Sequence, residues 1–206
     1  MKNYRFILIG ALLTLSACGM NDYVANSLAR KDITITSSDN FPHCYGYGCE
    51  KKKSIHFSDK DWQPIKSLFT PASKTAEEER TRIKSAIAVF EQIAGKQAGT
   101  ENDKAGTFRH IMADGLQQDC VDESINTTIY LSLLEHENLM LHHRVLSPTV
   151  RLPIIHAGRW PHQTAVIEDV SNTQKYAVDS WFHDNGEPSE IIKLEDWKNG
   201  WKPSRL

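Results

Sequence analysis

Three residue types that together perform nucleophilic catalysis occur in order along the second half of this 206-residue chain. Cys120 lies in the polar and acidic stretch QQDCVDES rather than inside an apolar stripe. His162 opens the strand-like segment HQTAVIEDV, and Asp179 lies in the strand-like segment that follows it. A cysteine nucleophile needs a base that takes its proton, and the base needs a group that orients it. The order Cys, His, Asp therefore predicts acyl-transfer chemistry.

Cys120 falls in the first turn of a predicted helix. Asp119 can accept hydrogen bonds from the exposed first-turn amides, and apolar positions such as Ile125 and Ile129 continue one face until about residue 137. A helix N-terminus and a neighbouring imidazolium both stabilise a thiolate. The position thus predicts an accessible, reactive thiol.

The segment after this helix predicts the strands that would position the other two residues. His162 begins one strand and Asp179 lies in the next, and the short polar stretch SNTQ between them predicts an antiparallel hairpin. A tight hairpin can place both side chains as neighbours on one face. The three strand candidates are MLHHRVLS, HQTAVIEDV and QKYAVDSWF.

The remaining chain predicts one earlier helix and a C-terminal tail. Ser73 or Thr75 can cap the helix, an apolar stripe follows at three- and four-residue steps, and Gly95 is the predicted stop. The aromatic tail is expected to pack on the edge of the sheet through Trp197 or Trp201.

The N-terminus resembles a bacterial lipoprotein signal over residues 1–17. Lys2 and Arg5 precede an apolar run over residues 6–15, which is too short to span a bilayer, and the box Leu-Ser-Ala-Cys follows. The resemblance implies an acylated Cys18 and a membrane-anchored domain of the cell envelope that faces the periplasm. The absence of Asp beside the cysteine favours the outer membrane. An ordinary signal cleaved nearby and an uncleaved anchor are the alternatives.

The remaining three of the four cysteines cannot all pair. Cys44 and Cys49 bracket the flexible sequence YGYG, and in an oxidising compartment a disulfide between them is the expected state. A metal site at these two cysteines is the alternative; it lacks two further convincing ligands, for which His43 and His56 are the candidates. Cys120 is left without a partner, and an unpaired thiol in an exported protein indicates a function such as catalysis.

The order of a Cys at a helix start, a His that opens a strand and an Asp in the next strand resembles the transglutaminase-like branch of the papain-like cysteine enzymes. The resemblance covers about residues 75–185. It implies an α+β fold in which N-terminal helices pack on an antiparallel sheet. It also implies Cys120 as nucleophile, His162 as general base and acid, and Asp179 as the orienting partner.

The same resemblance implies that Gln117 or Gln118 donates to the oxyanion, since papain-like enzymes carry a glutamine just upstream of the cysteine. The chain departs from the family after the histidine, where Gln163-Thr164 stand in place of the usual Ala-Trp, and on both sides of the cysteine. Asp119 stands where the family often has Gly, and Val121 stands where it often has Trp. These departures concern the substrate groove more than the fold.

The predicted organisation is a signal over residues 1–17, a disulfide-clipped tether over 18–60 and a transglutaminase-like domain over 61–206. The net charge of −2 and the absence of a basic stripe or phosphate-binding motif disfavour nucleic acid as a partner. No cofactor is expected. The histidines of HENLMLHH lack the one-turn spacing of a His-Glu-x-x-His zinc motif, so no metal is expected there either.

The predicted function is a lipid-anchored cysteine hydrolase or acyltransferase that cleaves or transfers a peptide or isopeptide bond. Its substrate would be a peptide, an envelope protein or a peptidoglycan stem peptide. One alternative is an inactive binding or assembly lipoprotein with the same fold. Another is a peptidoglycan endopeptidase with an Asp-Cys core, which Asp119-Cys120 resembles, although Val121-Asp122 follows where that family usually has Ser-Gly.

Overall fold

The computed structural model of the protein describes residues 22–107, 115–153 and 161–204. Helices and antiparallel strands in these ranges form an α+β arrangement, which confirms the predicted class. None of the described helices is long and apolar enough to cross a membrane. The elements are α1 (Asp22–Ala29), β1 (Asn40–Tyr45), β2 (Lys51–His56), α2 (Asp59–Leu68), α3 (Ala76–Ala98), α4 (Cys120–His136), β3 (His143–Arg151), β4 (His162–Asp169), β5 (Lys175–Asp179), β6 (Glu190–Lys193) and α5 (Leu194–Lys198).

A four-stranded antiparallel sheet in the order β3-β4-β5-β6 forms one layer of the molecule. Strands β4 and β5 form the predicted hairpin, with Ala165 opposite Val178 and Glu168 opposite Lys175. Strand β3 begins three residues later than predicted, at His143, and continues to Arg151 with a register shift in its middle. The hairpin brings the start of β4 and the end of β5 to the same end of the sheet.

Helix α4 packs on this sheet and is the centre of the fold. It starts after Asp119 and ends at His136, as the sequence predicted. Burial is not confined to one face of the helix, however, because every residue from 122 to 134 is buried. Polar residues of the helix form hydrogen bonds inside the core. The hydroxyl groups of Thr128 and Ser132 donate to backbone carbonyls one turn earlier, at 2.7 and 2.8 Å.

Helix α3 confirms the predicted cap but not the predicted stop. Thr75 caps it by accepting a hydrogen bond from the backbone N–H of Glu78. Gly95, predicted to end the helix, lies inside it, and the helix continues to Ala98 before Gly99 adopts the left-handed conformation at φ 84°. Gly95 is instead needed for close packing, because a Cβ there would come within 3.0 Å of Asn185.

The N-terminal segment is more ordered than its polar composition suggested. The expected tether contains α1, and the region around the disulfide forms the antiparallel hairpin β1–β2. Phe41 and Ile55 lie opposite each other in this hairpin and are buried in the same core as Ile129 of α4. The core therefore includes residues on both sides of the boundary predicted at residue 60.

Three further elements escaped the sequence analysis: α2, β6 and α5. Helix α2 begins after Ser58, which forms a reciprocal capping box with Asp61, and buries Trp62 against α3. Strand β6 pairs with β5 and leads directly into α5. Trp197 of α5 is fully buried, whereas Trp201 is only partly buried. The predicted packing of the aromatic tail is thus made chiefly by Trp197.

Candidate active site

The predicted nucleophile, Cys120, is the first residue of α4. Asp119 caps the helix, and its Oδ1 accepts hydrogen bonds from the backbone N–H groups of Val121 and Asp122 at 3.0 Å. The Asp122 carboxylate in turn accepts from the Asp119 backbone N–H at 3.1 Å. This reciprocal capping fixes the turn that carries the thiol.

The loop closed by the disulfide forms hydrogen bonds to the first turn of α4, which carries Cys120. Cys44 and Cys49 are joined by a disulfide, as predicted, with their Cα atoms 4.7 Å apart. The four residues from Gly46 to Cys49 all have positive φ, so their backbone N–H groups converge on one side. Those of Tyr47 and Cys49 donate to Asp122 at 2.8 and 2.7 Å. The N–H of Gly48 donates to Asp119 at 3.0 Å.

The predicted base and its orienting partner are in direct contact. Nε2 of His162 and Oδ2 of Asp179 are 2.7 Å apart, and each side chain is at most 2% exposed. Aromatic rings enclose the imidazole, with the ring centroids of Trp181 and Phe182 at 4.7 and 5.3 Å. Because Nε2 faces a carboxylate, it carries a proton, which leaves Nδ1 as the basic nitrogen of the neutral ring.

Cys120 lies beside the start of β4. The backbone N–H of Gln163, the residue after His162, interacts with the thiol and favours its ionised form. Within the described residues, no hydrogen bond joins the thiol to the His162 ring. The structure therefore brings His162 and Asp179 into a bonded pair and places Cys120 next to the backbone N–H of Gln163, the residue that follows His162.

The thiol is not ionised in this structure. Burial raises the pKa of Cys120 to about 12, and the negative charges of Asp119 and Asp179 add to this effect. The Gln163 N–H and the N-terminal end of α4 act in the opposite direction but are weaker. The helix N-terminus therefore does not outweigh the effect of burial on the pKa of the thiol, and burial is not readable from the sequence around Cys120.

Both predicted oxyanion donors are engaged elsewhere. The Gln117 amide donates to the carbonyl of Asn102 at 3.2 Å, and its oxygen accepts from the Lys104 backbone N–H at 2.9 Å. The Gln118 amide donates to Glu123 at 3.2 Å, and its oxygen accepts from Asn126 at 2.7 Å. Both glutamines are buried and support the turn before Cys120.

A cluster of buried carboxyl groups next to the site was missed by the sequence analysis. Glu91, Asp103 and Glu123 come from α3, the following loop and α4, and each is less than 6% exposed. Glu123 accepts from Ser180, the residue after Asp179, at 2.5 Å. Because the residues are 12 and 20 positions apart in the chain, no spacing rule could have grouped them.

Burial and nearby negative charges favour the protonated forms of this cluster. Burial and the charge of Glu123 raise the pKa of Asp103 to about 9, and burial and the charges of Asp179 and Asp119 raise that of Glu123 to about 7. The pKa of Glu91 is raised well above its ordinary value for the same reasons. The direct interaction between the Asp103 and Glu123 carboxyl groups raises the pKa of Asp103 further and lowers that of Glu123.

The histidines of the HENLMLHH stretch have structural roles. The Nδ1 atom of His143 lies 2.9 Å from buried Glu79, and its Nε2 lies 3.2 Å from Arg80. His142 bonds the carbonyl of Ser73 at 3.0 Å. Among the residues that the structure describes, no group of three or more His, Cys, Asp or Glu side chains is arranged to hold a metal ion.

Comparison of the chain with protein-family models, with curated proteins and with solved structures finds no match. The predicted signal over residues 1–17 and Cys18, the predicted lipidation site, lie outside the described residues. The function of the site therefore has to be argued from its own geometry and from the sequence.

Proposed function

We propose that the protein is a cysteine hydrolase or acyltransferase of the transglutaminase-like, papain-like type. The observation that carries the proposal is the buried 2.7 Å bond between His162 and Asp179, formed beside the helix start that bears Cys120. Each of the three residues lies on a regular element, which is where a precise catalytic geometry is best supported.

In the proposed reaction His162 acts as a general base, because the resting thiol is neutral. Nδ1 takes the Sγ proton as the sulfur attacks a carbonyl carbon, and the positive imidazolium is stabilised by Asp179. The imidazolium then returns the proton to the leaving amine, which leaves an acyl group on Cys120. Water or a second amine attacks the acyl carbon and releases the thiol.

The negative oxygen of the intermediate needs donors that are already in place. The first-turn backbone N–H groups of α4 have no acceptor within the helix, and those of Val121 and Asp122 are used by the Asp119 cap. The N–H of Cys120 is therefore the donor that we assign to the oxyanion. Gln117 and Gln118 support it indirectly by fixing the preceding turn.

We infer the substrate class and location from the sequence. The lipoprotein-like N-terminus favours anchoring to the envelope through Cys18. The substrates within reach of the domain would then be peptides, envelope proteins or peptidoglycan stem peptides. Water is abundant in that compartment, which favours hydrolysis of an amide bond over its transfer to another amine.

One observation favours a second function, that of an inactive binding or assembly lipoprotein. The raised pKa of Cys120, caused first by burial, means that the free protein holds almost no thiolate at neutral pH. A protein that keeps this fold but no longer catalyses a reaction would not need to offset the free-energy cost of ionising the buried thiol. The two functions differ in whether His162 controls the reactivity of the thiol.

Alkylation of Cys120 tests the proposal. Iodoacetamide is added to the full chain in mild detergent between pH 5 and 10, and the modified cysteine is counted by mass spectrometry. For the enzyme, we expect His162→Ala to slow alkylation at pH 7.5 about tenfold or more, since the thiol loses its base. The matched control is His136→Ala, an exposed histidine at the other end of α4.

A slow thiol whose alkylation rate still rises at pH 10 and is indifferent to His162→Ala would contradict the enzyme and support the binding protein. If alkylation depends on His162, an activated acyl ester should leave an acyl adduct on the wild type that Cys120→Ala cannot form.

A further inference from the structure

Trp197 makes a hydrogen bond to the predicted catalytic pair. Its indole Nε1–H donates to Oδ2 of Asp179 at 2.7 Å, and His162 bonds the same oxygen at the same distance. The indole is fully buried, and its ring centroid lies 5.5 Å from that of the imidazole. One carboxylate oxygen thus receives an N–H from each of two aromatic side chains.

The indole is held in place independently of this bond. The Arg151 guanidinium lies 4.7 Å from the centroid of the Trp197 ring and donates to the carbonyls of Trp197 and Trp201 at 2.7 and 2.8 Å. Helix α5 follows β6 directly and packs on β5, the strand that carries Asp179. The position of the donor is therefore fixed by β3, β5 and the C-terminal segment together.

A fixed donor on Oδ2 has a physical consequence for the site. A buried carboxylate is strongly disfavoured unless its oxygens are hydrogen-bonded, and rotation of Asp179 about its side-chain torsions would break both bonds at once. With Oδ2 held toward His162, the proton of the neutral ring stays on Nε2 and Nδ1 stays basic. Without the indole N–H, the carboxylate can turn and the ring can exchange tautomers.

We propose that Trp197 is a positioning residue, whose indole N–H holds Asp179 against His162 and thereby keeps the imidazole in the tautomer that can deprotonate Cys120. The inference rests on the proposed function, because the base is useful only if the thiol reacts. It assigns a role in the reaction to a C-terminal helix whose sequence predicts no more than packing.

The test is Trp197→Phe in the full chain, which keeps an aromatic ring and removes the N–H. Trp62→Phe is the matched control, because Trp62 is also buried but none of the described residues accepts a hydrogen bond from its indole N–H. The first measurement is long-range ¹H–¹⁵N NMR of the His162 ring, which reports the tautomer directly. The second is the rate of Cys120 alkylation between pH 5 and 10.

We expect the wild type and Trp62→Phe to show the Nε2–H tautomer alone, and Trp197→Phe to show a mixture. Alkylation at pH 7.5 should fall about fivefold to tenfold in Trp197→Phe and remain unchanged in Trp62→Phe. If Trp197→Phe fails to fold, a benzothienylalanine at position 197, introduced by codon suppression, replaces the N–H by sulfur in a ring of the same shape. The same changes are expected for that variant.

The possible failures can be told apart. Trp197 has no positioning role if alkylation depends on His162 while Trp197→Phe matches Trp62→Phe in tautomer and rate. If alkylation is indifferent to His162→Ala although Trp197→Phe changes the tautomer, the proposed function fails, and the role of Trp197 in a reaction fails with it.

Discussion

Opposing effects act on the ionisation of the Cys120 thiol. The helix N-terminus and the Gln163 backbone N–H favour the thiolate, while burial and the carboxylates of Asp119 and Asp179 disfavour it. Burial is the largest of these effects. A substrate that covers the site would not remove this cost, so in the proposed reaction the proton leaves through His162 as the sulfur attacks rather than before it.

The contribution of Asp119 can be measured separately. Asp119→Asn keeps the side-chain oxygen that caps the helix and removes the negative charge beside the thiol. We expect the pKa of Cys120 to fall by up to about one unit, which corresponds to about 1.4 kcal/mol and about ten times more thiolate at a given pH. The measurement is the pH dependence of alkylation, with Asp59→Asn in the first turn of α2 as the control. An unchanged profile in Asp119→Asn would mean that its charge does not act on the thiol.

At the scale of elements, the disulfide hairpin and the start of α4 form one unit. The N–H groups of Tyr47, Gly48 and Cys49 bind the carboxylates of Asp119 and Asp122. Deeper in the core, the Asn126 side chain bonds both the N–H and the carbonyl of Cys44, at 2.7 and 2.9 Å. The hairpin therefore acts as an outer cap on the helix that begins at Cys120.

Opening this cap should destabilise the whole domain. The crosslink closes a loop of six residues, for which the loss of loop entropy in the unfolded chain corresponds to about 2 kcal/mol. We expect the double variant Cys44→Ala, Cys49→Ala to lower the free energy of unfolding by about that amount in urea denaturation. The control is Cys120→Ala, which removes a cysteine without changing the loop.

A reducing agent should lower the stability of the wild type and leave the double variant unchanged. Equal stability of the wild type and the double variant under oxidising conditions would show that the backbone hydrogen bonds to Asp119 and Asp122 are sufficient to hold the loop.

At the scale of the whole molecule, the interior carries an unusual number of acidic groups for a core. The pKa values of Glu91, Asp103 and Glu123 are raised in the folded protein, whereas these groups ionise at ordinary pKa values when it is unfolded. Between the ordinary and the raised pKa values, the folded state binds more protons than the unfolded state. Stability therefore falls as pH rises from about 4 to about 7 for Glu123, and to about 9 for Asp103. Burial lowers the pKa of His43 to about 3. Between about pH 3 and 6.5 this histidine therefore makes stability rise with pH.

Between pH 7 and 9 His43 is neutral in both states, and the Cys120 thiol, which ionises at about pH 8.5 in the unfolded chain, affects the wild type and an Asp103 variant equally. We expect the free energy of unfolding to decrease by up to about 1.4 kcal/mol per pH unit for each proton concerned. Asp103→Asn cannot ionise, and it should make the protein less sensitive to pH in this window. Thermal unfolding at pH 7, 8 and 9 measures the effect. A slope that is the same in the variant and the wild type would show that Asp103 ionises normally in the folded protein.

The sequence predicted the parts of the fold that local chemistry encodes. Asp119 and Thr75 were recognised as caps, and the β4–β5 hairpin was recognised from alternation around a polar turn. The N-terminal hairpin and α2 were missed because each buries only a few apolar residues among many polar ones. The end of α3 was misplaced by four residues, since Gly95 serves packing and Gly99 serves the cap.

By itself, the sequence determined the helix start at Cys120, the hairpin that joins His162 to Asp179, and the disulfide between Cys44 and Cys49. These features depend on hydrogen bonds, periodicity and loop lengths within a few residues. Only the tertiary structure decided which side chain reaches Asp179 from α5, which acids share the core, and how strongly the thiol is buried. Those properties depend on desolvation and on contacts between distant residues, which spacing along the chain does not encode.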